Sequence, residues 1–446
     1  MAEEKRYKTE PFKCWQEAKQ LRLKFYNDYT RAHEVGGIRV AGSGASFFAL
    51  PIGLGWDVQF LTGETYGASV SSRPEFSLEC MEEVERRGYA RDICSYMRNY
   101  WGSAMLNKFI HADGRVEDGF PKPDLIFSVH ICCGHANWYR HVNEIEGGDI
   151  PMYFYDLPCM TLAEGTVNKR RVDYVTAQML EAIPWMEKIT GRTWDLEKFV
   201  EAAQNESETS KLWAEICMLQ KAIPAPMEEK TAYSFQGLTA LRAQSKECVD
   251  FMRVLLDEIK DRVERGIAAS EHERFRVITD SNPPWSGLEL FRYMDRNYGV
   301  ISLGSIYTFG LHAAWEYDEN GMLVPVKSLR ELGVPMRTRE EAVRAYTEFK
   351  LKFLQLFFLL DPIAKSQIMV KMAKQWNADA AIIHLNRGCE GSALGQKENR
   401  LALIEAGIPV MTYEGNVGDD RDFDLARTKE KMDSFFEGQG LRKLTK

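Results

Sequence analysis

Residues 121–129 read Pro-Lys-Pro-Asp-Leu-Ile-Phe-Ser-Val, a proline-bounded break followed by a short, almost wholly apolar run. A run of that length without polar alternation predicts a strand buried on both faces, the kind that builds parallel sheets. The following segment, His135 to Ile145, has helical spacing, and Pro151-Met152-Tyr153-Phe154-Tyr155 predicts a second strand. Strand, helix and strand in that order is the pattern of a parallel α/β layer. Upstream, Ile38-Arg39-Val40-Ala41 predicts a strand that turns through Gly42-Ser43-Gly44 into a helix-like run, and Asp57-Val58-Gln59-Phe60 predicts another. Helices are expected over Pro11 to Arg31 and roughly over 77–88 and 91–107. The stretch 168–266 is long and helical in character.

The strand–helix pattern then returns. Phe275 to Thr279, Gly299 to Leu303, Ala380 to Ile383 and Ile408 to Met411 predict strands. Helices are expected over Ser286 to Asn297, 338–377, Ser392 to Ala406 and 424–437. The expected architecture is therefore α/β: two doubly wound Rossmann-like lobes with parallel sheets, joined by a helical segment. The first lobe would occupy 1–200 and the helical connector with the second lobe 201–446, which suits a chain of 446 residues, too long for one core.

Composition narrows the function. Lysine and arginine number 57 against 65 aspartates and glutamates, a net charge of −8 that repels phosphate backbones, so no nucleic-acid partner is expected. No run approaches the ~20 apolar residues that cross a bilayer, and the start Met-Ala-Glu-Glu-Lys-Arg has no apolar signal core. A cytoplasmic protein, with no membrane contact, is expected. Its nine cysteines then read as thiols or metal ligands rather than disulfides.

Ligands of open parallel sheets bind beyond the carboxyl ends of the strands. Cys132 and Cys133 follow the strand ending at Val129, Cys159 follows the one ending at Tyr155, and Cys389 follows the one ending at Ile383. Cys14, Cys80, Cys94, Cys217 and Cys248 fall within predicted helices and read as small apolar residues. Thiolates converging from two lobes suit a soft metal centre such as an iron–sulfur cluster. Three strand-end positions are one short of the four that hold a cubane. Either the Cys132-Cys133 pair supplies two ligands or one iron keeps an exchangeable position, and the strain of adjacent ligands favours the open iron.

The ordered set Ile131-Cys132-Cys133-Gly134 with Trp138-Tyr139, Tyr155-Asp156-Leu157-Pro158-Cys159 and Asn386-Arg387-Gly388-Cys389 resembles the three cysteine motifs of the 2-hydroxyacyl-CoA dehydratase and benzoyl-CoA reductase family. The C-terminal stretch fits too, through Gly407-Ile408-Pro409-Val410, Tyr413-Glu414-Gly415-Asn416 and Asp419-Asp420-Arg421. Leu61-Thr62-Gly63-Glu64-Thr65-Tyr66-Gly67-Ala68 resembles the Gly-Glu-Pro-Tyr stretch of the reductases. The glutamate that dehydratases carry soon after a proline of the preceding helix has no counterpart at Pro51-Ile52-Gly53.

The resemblance implies the larger, beta-type [4Fe-4S]-bearing subunit of an ATP-dependent benzoyl-CoA reductase, which dearomatises aryl-CoA in anaerobic aromatic degradation. It implies a homologous smaller cluster-bearing subunit and an ATP-hydrolysing iron–sulfur activator as partners. The absence of a G-x-x-x-x-G-K-[ST] pattern agrees with ATP being used elsewhere. The alternatives are a dehydratase subunit, which would form a ketyl radical and expel hydroxide, and a cluster-free α/β binding subunit. As ligands the resemblance carries over Cys159 and Cys389. Counting back from Trp138-Tyr139 favours Cys132, whereas the following glycine favours Cys133; Cys132 is preferred.

For proton donation or thioester contact the candidates are Glu64, Tyr66, His135 and the loop Asn282-Pro283-Pro284-Trp285-Ser286-Gly287 after the strand ending at Thr279, with Trp285, Ser286 and Gly287 as the expected substrate contacts. Each has a plainer reading, His135 as a helix cap, Glu64 as a surface pair, and Trp138, Tyr139 and Trp285 as core. His312 reads as a satisfied buried histidine.

Overall fold

The computed structural model describes residues 6–158, 168–357 and 362–445. Two four-stranded sheets, every pairing parallel, form the two expected lobes. Across the first sheet the order is Val58–Thr62, Ile38–Gly42, Leu125–His130, Met152–Asp156; across the second it is Val410–Gly415, Ala380–Asn386, Phe275–Asp280, Val300–Ser305. The apolar run that predicted the central strand is buried from Leu125 through Val129. In each sheet the chain winds outward to one side and then returns to the other. The winding reverses between Ile38–Gly42 and Leu125–His130 in the first sheet, and between Phe275–Asp280 and Ala380–Asn386 in the second.

The helical middle consists of Lys169–Thr190, Leu196–Leu219, Glu229–Arg242 and Lys246–Glu264. One apolar cluster takes in Leu61 and Ile126 of the first sheet, Ile278 and Ile383 of the second, and helical residues such as Trp213 and Phe251, so the lobes share a core. Two expected helices differ in detail. The one from Ser286 starts as a tight turn over Trp285–Gly287 and becomes regular at Glu289–Tyr298, while the one from Ser392 is broken at Gly395 into Glu390–Ala393 and Gln396–Glu405. Two antiparallel hairpins, Lys108–Ile110 with Val116–Asp118 and Trp315–Tyr317 with Leu323–Pro325, were not expected, since three-residue strands are too short to show a period. Among the described residues no helix is long and apolar enough to cross a membrane.

A buried ionic link fastens the lobes. The fully buried Arg98 donates to Asp419 Oδ2 at 2.9 Å and to Glu85 Oε1 at 3.1 Å. Removing one partner strands the other charge, so Arg98→Met should lower stability by about 3 kcal/mol, read as a lower urea midpoint. An unchanged midpoint would show that Arg421, 2.8 Å from Asp419 Oδ2, suffices alone.

Candidate active site

Both reversal points open onto one cavity of about 560 Å³. The first lobe supplies Ser43, Gly44, Glu64 and Cys132 to His135; the second supplies Asn282 and Asn386 to Cys389. This is where doubly wound sheets present ligand sites, here two of them facing each other.

Local sequence sets each group. Cys132, in extended conformation, caps the helix Cys133–Ile145, and its Sγ accepts from the His135 N–H at 3.4 Å. Cys133 begins the helix and is exposed. Across the cavity, Asn386 Oδ1 accepts from the backbone N–H groups of Gly388 (3.0 Å) and Val417 (3.2 Å), folding the loop back on itself. Gly388 lies so close to Asn416 that a Cβ would overlap its side-chain amide, which explains the glycine before Cys389. Cys389 Sγ donates to Ser392 Oγ at 3.3 Å, which donates to Asn282 Oδ1 at 2.6 Å.

Glu64 enters from the helix Gly63–Ser71. A Cβ at Gly63 would stand 2.7 Å from Trp138 Cζ2, so only glycine lets this helix begin against Trp138-Tyr139. Tyr139 Oη accepts from the Gly63 N–H at 3.1 Å and donates to the Gly42 carbonyl. Tyr139 is core, as its plainer reading had it, while the equally buried Trp138 also lines the cavity, and together they position the glutamate.

The result is a chain of three side chains. Glu64 Oε1 stands 2.7 Å from His135 Nε2, and His135 Nδ1 stands 3.0 Å from Cys132 Sγ. Ser43 Oγ (2.8 Å) and the Gly44 N–H (2.9 Å) donate to the two Glu64 oxygens. Burial works against every charge here, but the partners outweigh it. The charge and hydrogen bond of His135 hold Glu64 down at about 2. Glu64 and Cys132 together hold His135 well above its ordinary value. The His135 hydrogen bond brings the Cys132 thiol below its usual value, whereas burial raises those of Cys389 and Cys94. In the metal-free chain, iodoacetamide should therefore alkylate Cys132 at pH values below the ordinary thiol range of about 8.5, and His135→Gln should move that profile upward. Coincident profiles would remove His135 as the cause.

Other residues fall elsewhere. Tyr66 is fully buried, its hydroxyl 2.6 Å from Ser103 Oγ and its ring stacked on Phe109, because residues two apart on a helix point about 200° away from each other. The 282–287 loop reaches the cavity through Asn282. Trp285 instead donates to Tyr96 Oη and packs on Tyr233, Ser286 bonds Asp420, and Gly287 packs against Phe423; none of these three lines the cavity. Cys159 lies outside the described residues. Cys14, Cys80, Cys217 and Cys248 are buried in the apolar core. Cys94 departs from its helical reading: it precedes the helix Ser95–Met105 and lines the cavity, a difference set by where that helix starts. His312 is half-buried on the cavity wall and, among the described residues, has no hydrogen-bond partner, contrary to the satisfied histidine expected.

Among the described residues no three histidine, cysteine or acidic side chains are close enough to hold a single metal ion. Thiols from both lobes around one cavity suit instead a cluster, whose corners keep its ligands apart.

A family described as "2-hydroxyglutaryl-CoA dehydratase, D-component" matches residues 67–438. The (R)-2-hydroxyisocaproyl-CoA dehydratase alpha subunit of Clostridioides difficile is 26% identical over 423 residues, 94% of each chain. The (R)-phenyllactyl-CoA dehydratase alpha subunit of Clostridium sporogenes is 26% identical over 391 residues, 86% of this chain and 85% of that one. A benzoyl-CoA reductase subunit of Thauera aromatica is 22% identical over 370 residues, 80% of this chain and 78% of that one.

Proposed function

The chain belongs to the 2-hydroxyglutaryl-CoA dehydratase D-component family, and we propose that within it the chain is the [4Fe-4S]-bearing subunit of an ATP-dependent aryl-CoA reductase. The reading is carried by Cys132 and Cys389, on different lobes, lining the same cavity as the Glu64–His135 pair. Cys132, Cys389 and Cys159 would hold the cluster, with Cys133 at the rim. When bound, such a group supplies single low-potential electrons to the carbonyl of a CoA thioester.

The chain's own residues do the rest. His135, kept protonated by Glu64, holds a proton beside the proposed ligand Cys132, and Ser43 with Gly44 fixes the carboxylate that orients it. Met97, Ile131, Trp138 and Leu311 make the walls largely apolar, which excludes water and strengthens each charge interaction inside. A homologous smaller subunit and a separate ATP-hydrolysing activator would complete the enzyme. Dehydration is the second reading, favoured by the higher identity to the two dehydratase subunits than to the reductase subunit.

The test supplies the purified complex, under anaerobic conditions with reductant and ATP, with benzoyl-CoA and with (R)-2-hydroxyisocaproyl-CoA. Ring reduction of the first is the expected result. Water loss from the second, with benzoyl-CoA untouched, would replace this reading by the other.

A further inference from the structure

One wall of the cavity differs chemically from the rest. Glu206 of the helix Leu196–Leu219, Lys350 of the helix Arg339–Phe357 and His312, just after the helix Ile306–Gly310, all line it. Lys350 Nζ stands 2.6 Å from Glu206 Oε1, with the two side chains only 12% and 7% exposed, and Tyr346 Oη donates to Glu206 Oε2 at 2.6 Å. Well-packed apolar residues usually replace a buried ion pair without loss of stability, so folding alone does not account for one here. His312 adds a second sign. Its φ of +66° is rare for a residue with a side chain, and such backbone is held in place mainly at sites that grip ligands.

The charges on this wall are already balanced. Glu206 answers Lys350, and burial together with the Lys350 charge pushes the His312 imidazole down to about 4, so it is neutral at pH 7. A carboxylate entering here would find no unpaired cation. A purely apolar group would leave the imidazole without a partner, a penalty that recognition sites exploit. A hydroxyl meets both conditions, since it can donate to a neutral ring nitrogen and accept from an ammonium.

We propose that Lys350, Glu206 and His312 recognise a hydroxyl on the acyl group, remote from the thioester, so that the preferred substrate is the CoA thioester of a hydroxylated aryl acid. The proposal rests on the thioester reading above, because it takes the cavity to be the acyl site. Lys350 and His312 are specificity residues in this scheme, distant in sequence from the cysteine motifs.

Calorimetric titration of the purified complex, without reductant or ATP, separates binding from turnover. Benzoyl-CoA, 3-hydroxybenzoyl-CoA, 4-hydroxybenzoyl-CoA and 3-carboxybenzoyl-CoA are the probes. At least one hydroxylated thioester should bind about 100-fold tighter than benzoyl-CoA, and the carboxylated one should not share that gain. His312→Gly keeps the left-handed backbone while removing the ring, and the double variant Glu206→Gln/Lys350→Met removes the pair without stranding a charge. Each should cut the preference to less than about 10-fold. Equal affinities in the natural protein, a preference for the carboxylated thioester, or a preference unchanged in both variants would overturn the proposal. Hydroxyl preference without ring reduction would discard the reductase reading and leave this one standing; ring reduction without preference would do the reverse. Failure of all four to bind would end both.

Discussion

Anaerobically purified Cys389→Ser and Cys132→Ser proteins should carry less than about one iron per chain, against about four in the natural protein if a cubane is present. A serine hydroxyl is a hard, weakly acidic donor and a poor substitute for thiolate on iron. Loss of either proposed ligand also removes the grip from one of the two lobes, since Cys132 follows the strand Leu125–His130 and Cys389 the strand Ala380–Asn386. Cys217→Ser is the control, because Cys217 sits fully buried in the helical core and does not line the cavity. Cys94→Ser asks a finer question. Cys94 lines the cavity without belonging to a strand-end motif, and iron retained in that variant is the expected result for a wall residue. Equal iron in the Cys132, Cys389 and Cys217 variants would sink the cluster assignment.

Glu64→Gln should lower kcat by about 10²- to 10⁴-fold with iron content unchanged, the range lost when a positioned proton donor is disabled. Glutamine keeps the size of the side chain but not the charge that offsets the burial of protonated His135. The pH profile carries the sign. His135 has a raised value, so its own contribution to stability is complete below about 6.5 and is lost only as pH rises through that raised value. Glu64 is held down at about 2, so its contribution is complete above the ordinary carboxylate value of 4.5 and is lost as pH falls towards 2. The natural donor thus stays loaded across neutrality, whereas the Glu64→Gln protein, in which burial of the imidazolium is no longer offset by the carboxylate, should lose activity at a lower pH than the natural protein. A variant with natural kcat and pH profile would assign the Glu64–His135 pair to structure alone.

Much of this site could be read from residue order. The apolar run Leu125 to Val129 and its counterparts marked the strands, and the rule that ligands gather beyond strand ends singled out Cys132, Cys133, Cys159 and Cys389; Cys132, Cys133 and Cys389 line the cavity, and Cys159 lies outside the described residues. Glu64 and His135 were also legible, though their 2.7 Å pairing was not. Tyr66 was drawn in by the same motif as Glu64, and helix phase turns it into the core beside Phe109. The strand-end loop 282–287 was legible as a candidate, and it reaches the cavity through Asn282, while Trp285 packs on Tyr233 in keeping with its plainer reading as core.

The order of residues by itself determined the two parallel layers and the positions of thiols at strand ends, because burial on both faces and short connecting turns leave local marks. The tertiary structure alone decided that the two reversal points face one another, that Cys94 stands on the cavity wall, and that Glu206, His312 and Lys350 meet there. The period of a segment records which of its own sides is buried. It carries no record of which distant segment, more than a hundred residues along the chain, will lie across the gap.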